Sequence, residues 1–365
     1  MSGRGGTALT AADTSPGSPP PEPSGRRKRG VSIGDVARLA GVSSQTVSRV
    51  STGHPRVIAS TRERVLAAME ELGYRPNNAA RALRLGEFRT IGVVLFTLST
   101  TGNSRTVEAI ADHAAAEGYA ITLIPVASPT QDDVLGAFTR LEELAVDGVI
   151  VIMEVHLLDA ATVTLPPGVQ VVVVDSDAGD RYAVVDSDQF DGARQAVRHL
   201  LELGHRTVWH VAGPTGSFAA ERRTNAWRTT LQEAGRRVPP VERGDWSAES
   251  GYQAGLRLAE QDRCTAIFAA NDQMALGVLR ALHEHGRSVP GDVSVVGFDD
   301  IPDAGCFHPP LTTVRQDFAE VGRRCVERLL RQIRREAVEP GMALVPTRMV
   351  VRHSTARPRR GRQST

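Results

Sequence analysis

The sequence is poor in aromatic residues, which make up only 4% of it, and it has just three cysteines, Cys264, Cys306 and Cys325. These form no CxxC and no paired spacing, so neither a disulfide framework nor a cysteine-rich metal site is expected, and a reducing cytosol is the simple setting. No run of 18 apolar residues occurs, which excludes an ordinary membrane-spanning helix. A P-loop, a dinucleotide fingerprint, a metal-spaced histidine cluster and a GxSxG element are all missing. The Gly213-Pro214-Thr215-Gly216 segment is too short to cradle a phosphate. No enzyme activity, cofactor or metal is therefore expected. The net charge is only +1, so the whole-chain charge does not point to nucleic acid.

The distribution of charge says more. Residues 26–90 carry 13 Arg and Lys against 5 Asp and Glu, which leaves the rest of the chain mildly acidic. A basic head on an acidic body fits a polyanion-binding module joined to something else. With 365 residues, 41% of them hydrophobic, the chain has room for two or three domains. Residues 1–30 are rich in Gly, Pro, Ser and Thr and end in Arg26-Arg27-Lys28-Arg29, with no apolar stretch long enough for a signal peptide. They are expected to form a disordered tail, and the protein to be cytoplasmic.

Residues 31–73 show three short helical patterns. The first begins at Ser32, has Asp35 three residues on, turns Ile33, Val36, Ala37 and Ala40 inward and ends at Gly41. The second spans Ser43–Val50, with Val47 and Val50 on one face and Ser44, Gln45, Ser48 and Arg49 on the other. The third follows a capping-box pattern at Ser60-Thr61-Arg62-Glu63, with Ser60 as cap, and carries Val65, Leu66, Met69 and Leu72 to a stop at Gly73. The expected core of this domain is Ala37, Ala40, Val47, Leu66 and Met69. Helix, tight turn, helix is the geometry that lays a second helix in the DNA major groove. Gln pairs bidentately with adenine and Arg with guanine. Pro76 interrupts next, and Asn77 to Leu85 reads as a separate short helix.

From residue 90 the rhythm changes to strands at 91–96, 121–124, 149–152 and 171–174, alternating with helical patterns near 106–117 and 133–144. A second series runs helix 190–202, strand 207–211, helices 222–234 and 249–259, strand 265–269, helix 273–284 and strand 293–297, with a further helix at 321–334. Such alternation implies a mostly parallel α/β sheet, and its length implies two lobes. Ligands bind such sheets beyond the carboxyl ends of the strands. Asp175, Asn271, Asp272, Asp299 and Asp300 fall at such ends, and Trp246 is a candidate to cover a sugar ring.

The segments Val31-Ser32-Ile33-Gly34-Asp35-Val36-Ala37, Ala40 through Val50, and Gly73 through Leu83 resemble the head and hinge of the lactose repressor family of bacterial transcriptional regulators. Gly244 through Tyr252, Ala270 through Gly277, Val295 through Asp300 and Pro309 through Phe318 resemble that family's effector domain. The resemblance implies a helix-turn-helix DNA-binding domain at 31–76, a hinge helix and linker at 77–89, and a two-lobed, periplasmic-binding-protein-like effector and dimerisation domain at 90–354. A loose basic tail at 355–365 would follow. It also implies DNA contacts at Ser32, Ser43, Ser44, Gln45, Ser48, Arg49, Asn77, Arg81 and Leu83, with Leu83 as a minor-groove wedge. Effector contacts are implied at Asp175, Arg223, Trp246, Asn271, Gln273, Asp299 and Phe318. The function implied is a homodimeric repressor of palindromic operator DNA controlled by a sugar or glycoside, with a galactoside favoured. Phe96, Asn103 and Ile152 depart from the family's namesake, so the first lobe is expected to be rebuilt. Two rivals are a transport-type sugar-binding protein without DNA activity and an α/β enzyme using Asp299, Asp300 and His308.

Overall fold

The computed structural model describes residues 31–51, 54–74, 87–126, 131–152, 168–176, 182–338 and 340–359. It divides into two compact units, Met1–Ala80 and Arg81–Thr365.

The first unit contains α1 (Ile33–Ala40), α2 (Ser44–Ser51) and α3 (Ala59–Glu71). Ser32 caps α1 in a full capping box with Asp35, and Gly41 closes it in the left-handed conformation at φ 63°. Ser43 caps α2: its Oγ accepts the Thr46 amide at 3.1 Å. Val36, Ala37, Ala40, Val47, Val50, Val65, Ala68 and Met69 make the core. Two expectations fail here. Leu66 is 51% exposed, and Ala68 takes the inward position beside Val65 and Met69; α3 also starts two residues earlier than its capping pattern implied. Its N-cap is Ile58, with no side-chain cap, so Ser60 lies inside the helix.

The second unit has two lobes. In the first, β1 (Thr90–Leu95), β2 (Ala120–Pro125), β3 (Gly148–Ile152), β4 (Val171–Val174), β5 (Ala183–Ser187) and β11 (Gly341–Val345) form a sheet of order β11-β5-β4-β3-β1-β2. All its pairings are parallel. Both faces are covered, which explains the unbroken apolar runs. Ile150 and Ile152 of β3 face α4 (Thr101–Ala116) and α10 (Phe318–Ile333), while Val149 and Val151 face α5 (Gln131–Glu143).

The second lobe holds β6 (Trp209–Ala212), β7 (Val241–Arg243), β8 (Ala266–Ala269) and β9 (Ser294–Val296) in the parallel order β7-β6-β8-β9. An antiparallel pair, β10 (Thr313–Arg315) with β12 (Arg348–Val350), flanks it. On one face lie α6 (Gln189–Glu202) and α7 (Phe218–Glu233), around Trp227, Phe268 and Phe298. On the other lie α8 (Ala248–Ala259) and α9 (Asp272–Glu284), around Leu258, Met274 and Val278.

Five strands escaped the sequence pattern: β5, β7, β10, β11 and β12. Through β5, β10 and β11 the described chain passes between the lobes three times: from β5 to α6, from β10 to α10 and from β11 to β12. The C-terminal segment is not loose from Thr355 as expected. His205 Nε2 lies 3.1 Å from the Ala356 carbonyl, the Ala356 amide donates to Ser294 Oγ at 3.0 Å, and Arg359 pairs with Asp292 at 3.1 Å. The last residues of the expected linker are tied to the second unit, where the Phe88 amide donates to Asp147 Oδ1 at 2.8 Å.

The α8–α9 contact is the tightest helix pair to alter. A Cβ on Gly277 would run into the Ala248 carbonyl oxygen and the Tyr252 amide of α8. We expect Gly277→Ala to destabilise the effector unit by about 1–3 kcal/mol, because an overpacked backbone contact has no flexible atom to yield. A urea midpoint equal to wild type would refute this.

Candidate functional site

On α2, Ser43, Ser44, Gln45 and Arg49 are exposed, while Val47 and Val50 anchor the opposite face. Ser48 is half-buried, and its carbonyl accepts the Ser51 hydroxyl at 2.9 Å, so it belongs less to the outer face than expected. Ser32 is committed to capping, with its Oγ 2.6 Å from Asp35 Oδ2. Asn77, Arg81 and Leu83 lie outside the described residues.

In the second unit, the carboxyl ends of both sheets face a cleft enclosing about 620 Å³, its open mouth included. Asp175, Arg223, Trp246, Asn271, Asp299 and Phe318 all line it. These six come from strand ends, from α7 and from the start of α10, in both lobes, which no sequence spacing reveals.

Arg223, on α7, is 4% exposed at the back of this cleft. Its Nε donates to Gln189 Oε1 at 2.9 Å, and its Nη1 donates to the Ala270 carbonyl. Its Nη2 lies 3.6 Å from Asp299 Oδ1, an ionic contact longer than a hydrogen bond. The guanidinium stacks at 3.9 Å over Phe298 and at 5.4 Å over Trp246. Asp299 Oδ1 also accepts Gln316 Nε2 at 2.7 Å.

Trp246 has φ 74° and Asp299 φ 108°, and Asp175 has φ 56°. Such left-handed backbone at non-glycine residues stores strain and gathers at sites where a side chain must be aimed. Gly213 has a role after all: any Cβ there would strike the Trp246 ring, so its absence lets the indole lie against the chain.

Two of the expected ligand contacts are already engaged within the protein. Asn271 caps α9 through the Met274 amide at 2.9 Å and spends its own N–H groups on the Trp246 carbonyl and Gln273 Oε1, each at 3.0 Å. Gln273 is absent from the cleft wall and donates to Thr101 Oγ1, linking the second lobe to the first. Two further strand-end carboxylates are structural. Asp272 accepts Thr313 Oγ1 at 2.6 Å and the Ile301 amide at 2.9 Å, and burial pushes its pKa well up. Asp300 pairs with Arg315 and Arg352. His308 lies away from the cleft, beside Leu276 and Pro309.

The cleft also contains residues the sequence reading missed: Asp186, Gln189, Gln316 and Ser217. Asp186 ends the overlooked β5 and is 4% exposed. Burial pushes its pKa up to about 7, opposed by a hydrogen bond from Gln189, by the Ser187 backbone and by the charges of Arg223 and Arg222. Ser217 caps α7, its Oγ accepting the Ala220 amide at 3.4 Å. The one usable signal was position: Asp186 follows a short Val-Val pair, with Asp188 two residues on, just before a helix.

The sequence was then compared with known proteins. The description "Bacterial regulatory proteins, lacI family" matches residues 32–77, and "Periplasmic binding protein-like domain" matches residues 197–355. The chain is 38% identical to the lactose operon repressor of Escherichia coli (strain K12), over 90% of this chain and 91% of that one. The chain belongs to the LacI family of bacterial transcriptional regulators. Among solved structures, a lac repressor dimer bound to operator and the anti-inducer ONPF aligns with TM-score 0.80 at 37% identity, covering 90% of this chain and all of that one. A complex of the transcriptional regulator CelR with cellobiose aligns with TM-score 0.65 at 31% identity, covering 89% and 99%. As a LacI-family protein the chain is a sequence-specific DNA-binding repressor, not an enzyme, and the α/β rival based on Asp299, Asp300 and His308 is set aside.

The raised pKa of Asp186 sets a pH dependence. An unfolded aspartate titrates near about 3.9. Between that value and about 7 the native protein holds a proton that the unfolded chain has released. Stability therefore falls as pH rises through this window. Asp186→Asn removes that slope, so in melts from acid to neutral pH the variant should gain on wild type as pH rises. A Tm difference independent of pH would contradict the assignment.

Proposed function

We propose that this LacI-family repressor acts as a homodimer on a palindromic operator and releases it when a sugar or glycoside, galactoside-like in shape, fills the interlobe cleft. The observation that carries the reading is the cleft itself. A buried arginine and two carboxylates, Asp175 and Asp299, face a cavity that Trp246 and Phe318 flank with apolar rings. Carboxylates and guanidinium groups take paired hydroxyls, and aromatic faces cover the carbon side of a sugar ring. The alignment with the CelR–cellobiose complex supports a carbohydrate as the ligand class.

In the head, Ser44, Gln45 and Arg49 read bases in the major groove, while Ser43 and Ser48 hold backbone phosphates and Ser32 serves DNA binding by capping α1. Asn77, Arg81 and Leu83 follow in the hinge, with Leu83 as the wedge in the minor groove. The domain limits in this reading are 31–76 for the head, 77–89 for the hinge and 90–354 for the effector body.

Selection of operators from random duplexes, repeated with a panel of mono- and disaccharides, tests ligand class and sign together. Arg49→Ala should cost about 1–3 kcal/mol of base discrimination, so that one position of the selected operator becomes degenerate. Unchanged selectivity would remove α2 as the reading helix. Arg223→Lys should keep operator binding while weakening the response to sugar about tenfold or more, because the planar two-sided donor is lost. An unaltered sugar response would argue against the cleft.

A further inference from the structure

One buried residue at the back of the cleft has no role in the reading above. Gln189 opens α6 directly after the first crossover and is 6% exposed. Its Nε2 donates to Asp186 Oδ1 at 3.3 Å and to Gln316 Oε1 at 3.1 Å, while its Oε1 accepts Arg223 Nε at 2.9 Å. A carboxamide has two N–H donors and one oxygen. Both hydrogens are spent, which turns the oxygen toward the arginine and defines which way round the amide sits. Gln316, in the second crossover, passes the link on through its bond to Asp299 at 2.7 Å.

The five members Asp186, Gln189, Arg223, Asp299 and Gln316 are each at most 7% exposed. A buried polar chain of this kind gains strength when every member is satisfied and loses more than one bond's worth when one is removed. Beside its longer ionic contact with Asp299, the bonds from Nε to Gln189 and from Nη1 to the Ala270 carbonyl help to orient the planar guanidinium. The crossovers are where any rotation of one lobe against the other is concentrated, as hinge motions place their backbone changes in a few connecting residues. Gln189 joins two of the three and holds the ligand-facing arginine as well.

We propose that Gln189 is a positioning residue of the effector site: it aims Arg223 and, through Gln316, Asp299, and it ties both to the two crossovers on which the lobes turn. This rests on the reading of the cleft as the ligand site. It assigns ligand affinity in part to a side chain that acts through its neighbours.

The test uses full-length protein. Gln189→Met has nearly the same length without polar atoms, Gln189→Glu keeps an oxygen for Arg223, and Arg223→Lys removes the Nε donor. With D-galactose and methyl β-D-galactoside as probes, Gln189→Met should weaken binding about ten- to hundredfold, the loss typical of a broken bond to a charged group. Gln189→Glu should also weaken binding, because it keeps the oxygen for Arg223 but loses both donors and sets a second acid against Asp186 Oδ1 and Gln316 Oε1. In the Arg223→Lys background, Gln189→Met should add less than about twofold, since residues acting through one another are not additive. Losses that multiply in the double variant would overturn the proposal.

A second readout needs no sugar. The Arg223 Nε–H, assigned in ¹⁵N spectra by its absence in Arg223→Lys, should exchange with solvent about tenfold faster or more in Gln189→Met. Unchanged exchange would overturn the proposal. If no probe binds wild type yet exchange accelerates as expected, the galactoside reading falls and the positioning link stands. Gln189→Asn, too short to reach Arg223, gives the same exchange test should the Met variant fail to fold.

Discussion

A guanidinium taken out of water must find acceptors and counter-charge, and satisfying Arg223 organises the centre of this protein. Its partners include groups from places that are far apart in the chain: Gln189 after the first crossover, Ala270 beyond β8, and Asp299 beyond β9. Phe298 and Trp246 close over its faces. None of these groups can shift far without stranding a charge. The cleft is therefore stiff at its back wall, on the second lobe, where the arginine is held. The first lobe contributes Asp175, Thr101 and Asn103 from strand ends and a helix start. A ligand in the cleft thus meets the arginine wall of the second lobe on one side and a surface carried by the first lobe on the other.

The polar residues around the cleft fall into two groups that look alike in sequence. Asp272 and Asp300 are consumed by the fold: the first by Thr313 and the Ile301 amide, the second by Arg315 and Arg352. Asp175 and Asp299 open onto the cavity. The difference lies in direction. Asp272 sits in the first turn of α9 and bonds back into its lobe, whereas Asp175 and Asp299 line the cleft; left-handed backbone alone does not decide this, since Asp300 shares it at φ 54° and is still taken up by Arg315 and Arg352. Asn271 stands between the groups, lining the cleft with an amide already engaged in a helix cap and the Trp246 carbonyl.

Much of the architecture was legible from local signals. Ser32 with Asp35, and Gly41 in its left-handed turn, marked the first helix because capping is short-range chemistry. The buried strands β1, β3 and β4 announced themselves as apolar runs. The pattern failed where burial and chemistry diverge. β5 reads Ala-Val-Val-Asp-Ser, and its two polar residues hid a strand that is buried along its whole length. With β5 unseen, Asp186 and Gln189 were unseen too. Ser60 failed for a related reason: three residues fit a capping box, but the helix had already begun at Ala59.

From its residues alone, this chain determined a basic three-helix head, an alternating α/β body and the membership that its paired motifs betray. Caps, apolar periodicity and charge segregation act over a few residues, so they survive in a one-dimensional reading. Only the tertiary structure decided which carboxylates face the cleft, where the chain crosses between lobes, and that one amide joins two of those crossings to the buried arginine. Those outcomes depend on contacts between positions more than a hundred residues apart, such as Gln189 with Gln316. The energy of such a contact comes from shared burial, which no local pattern encodes.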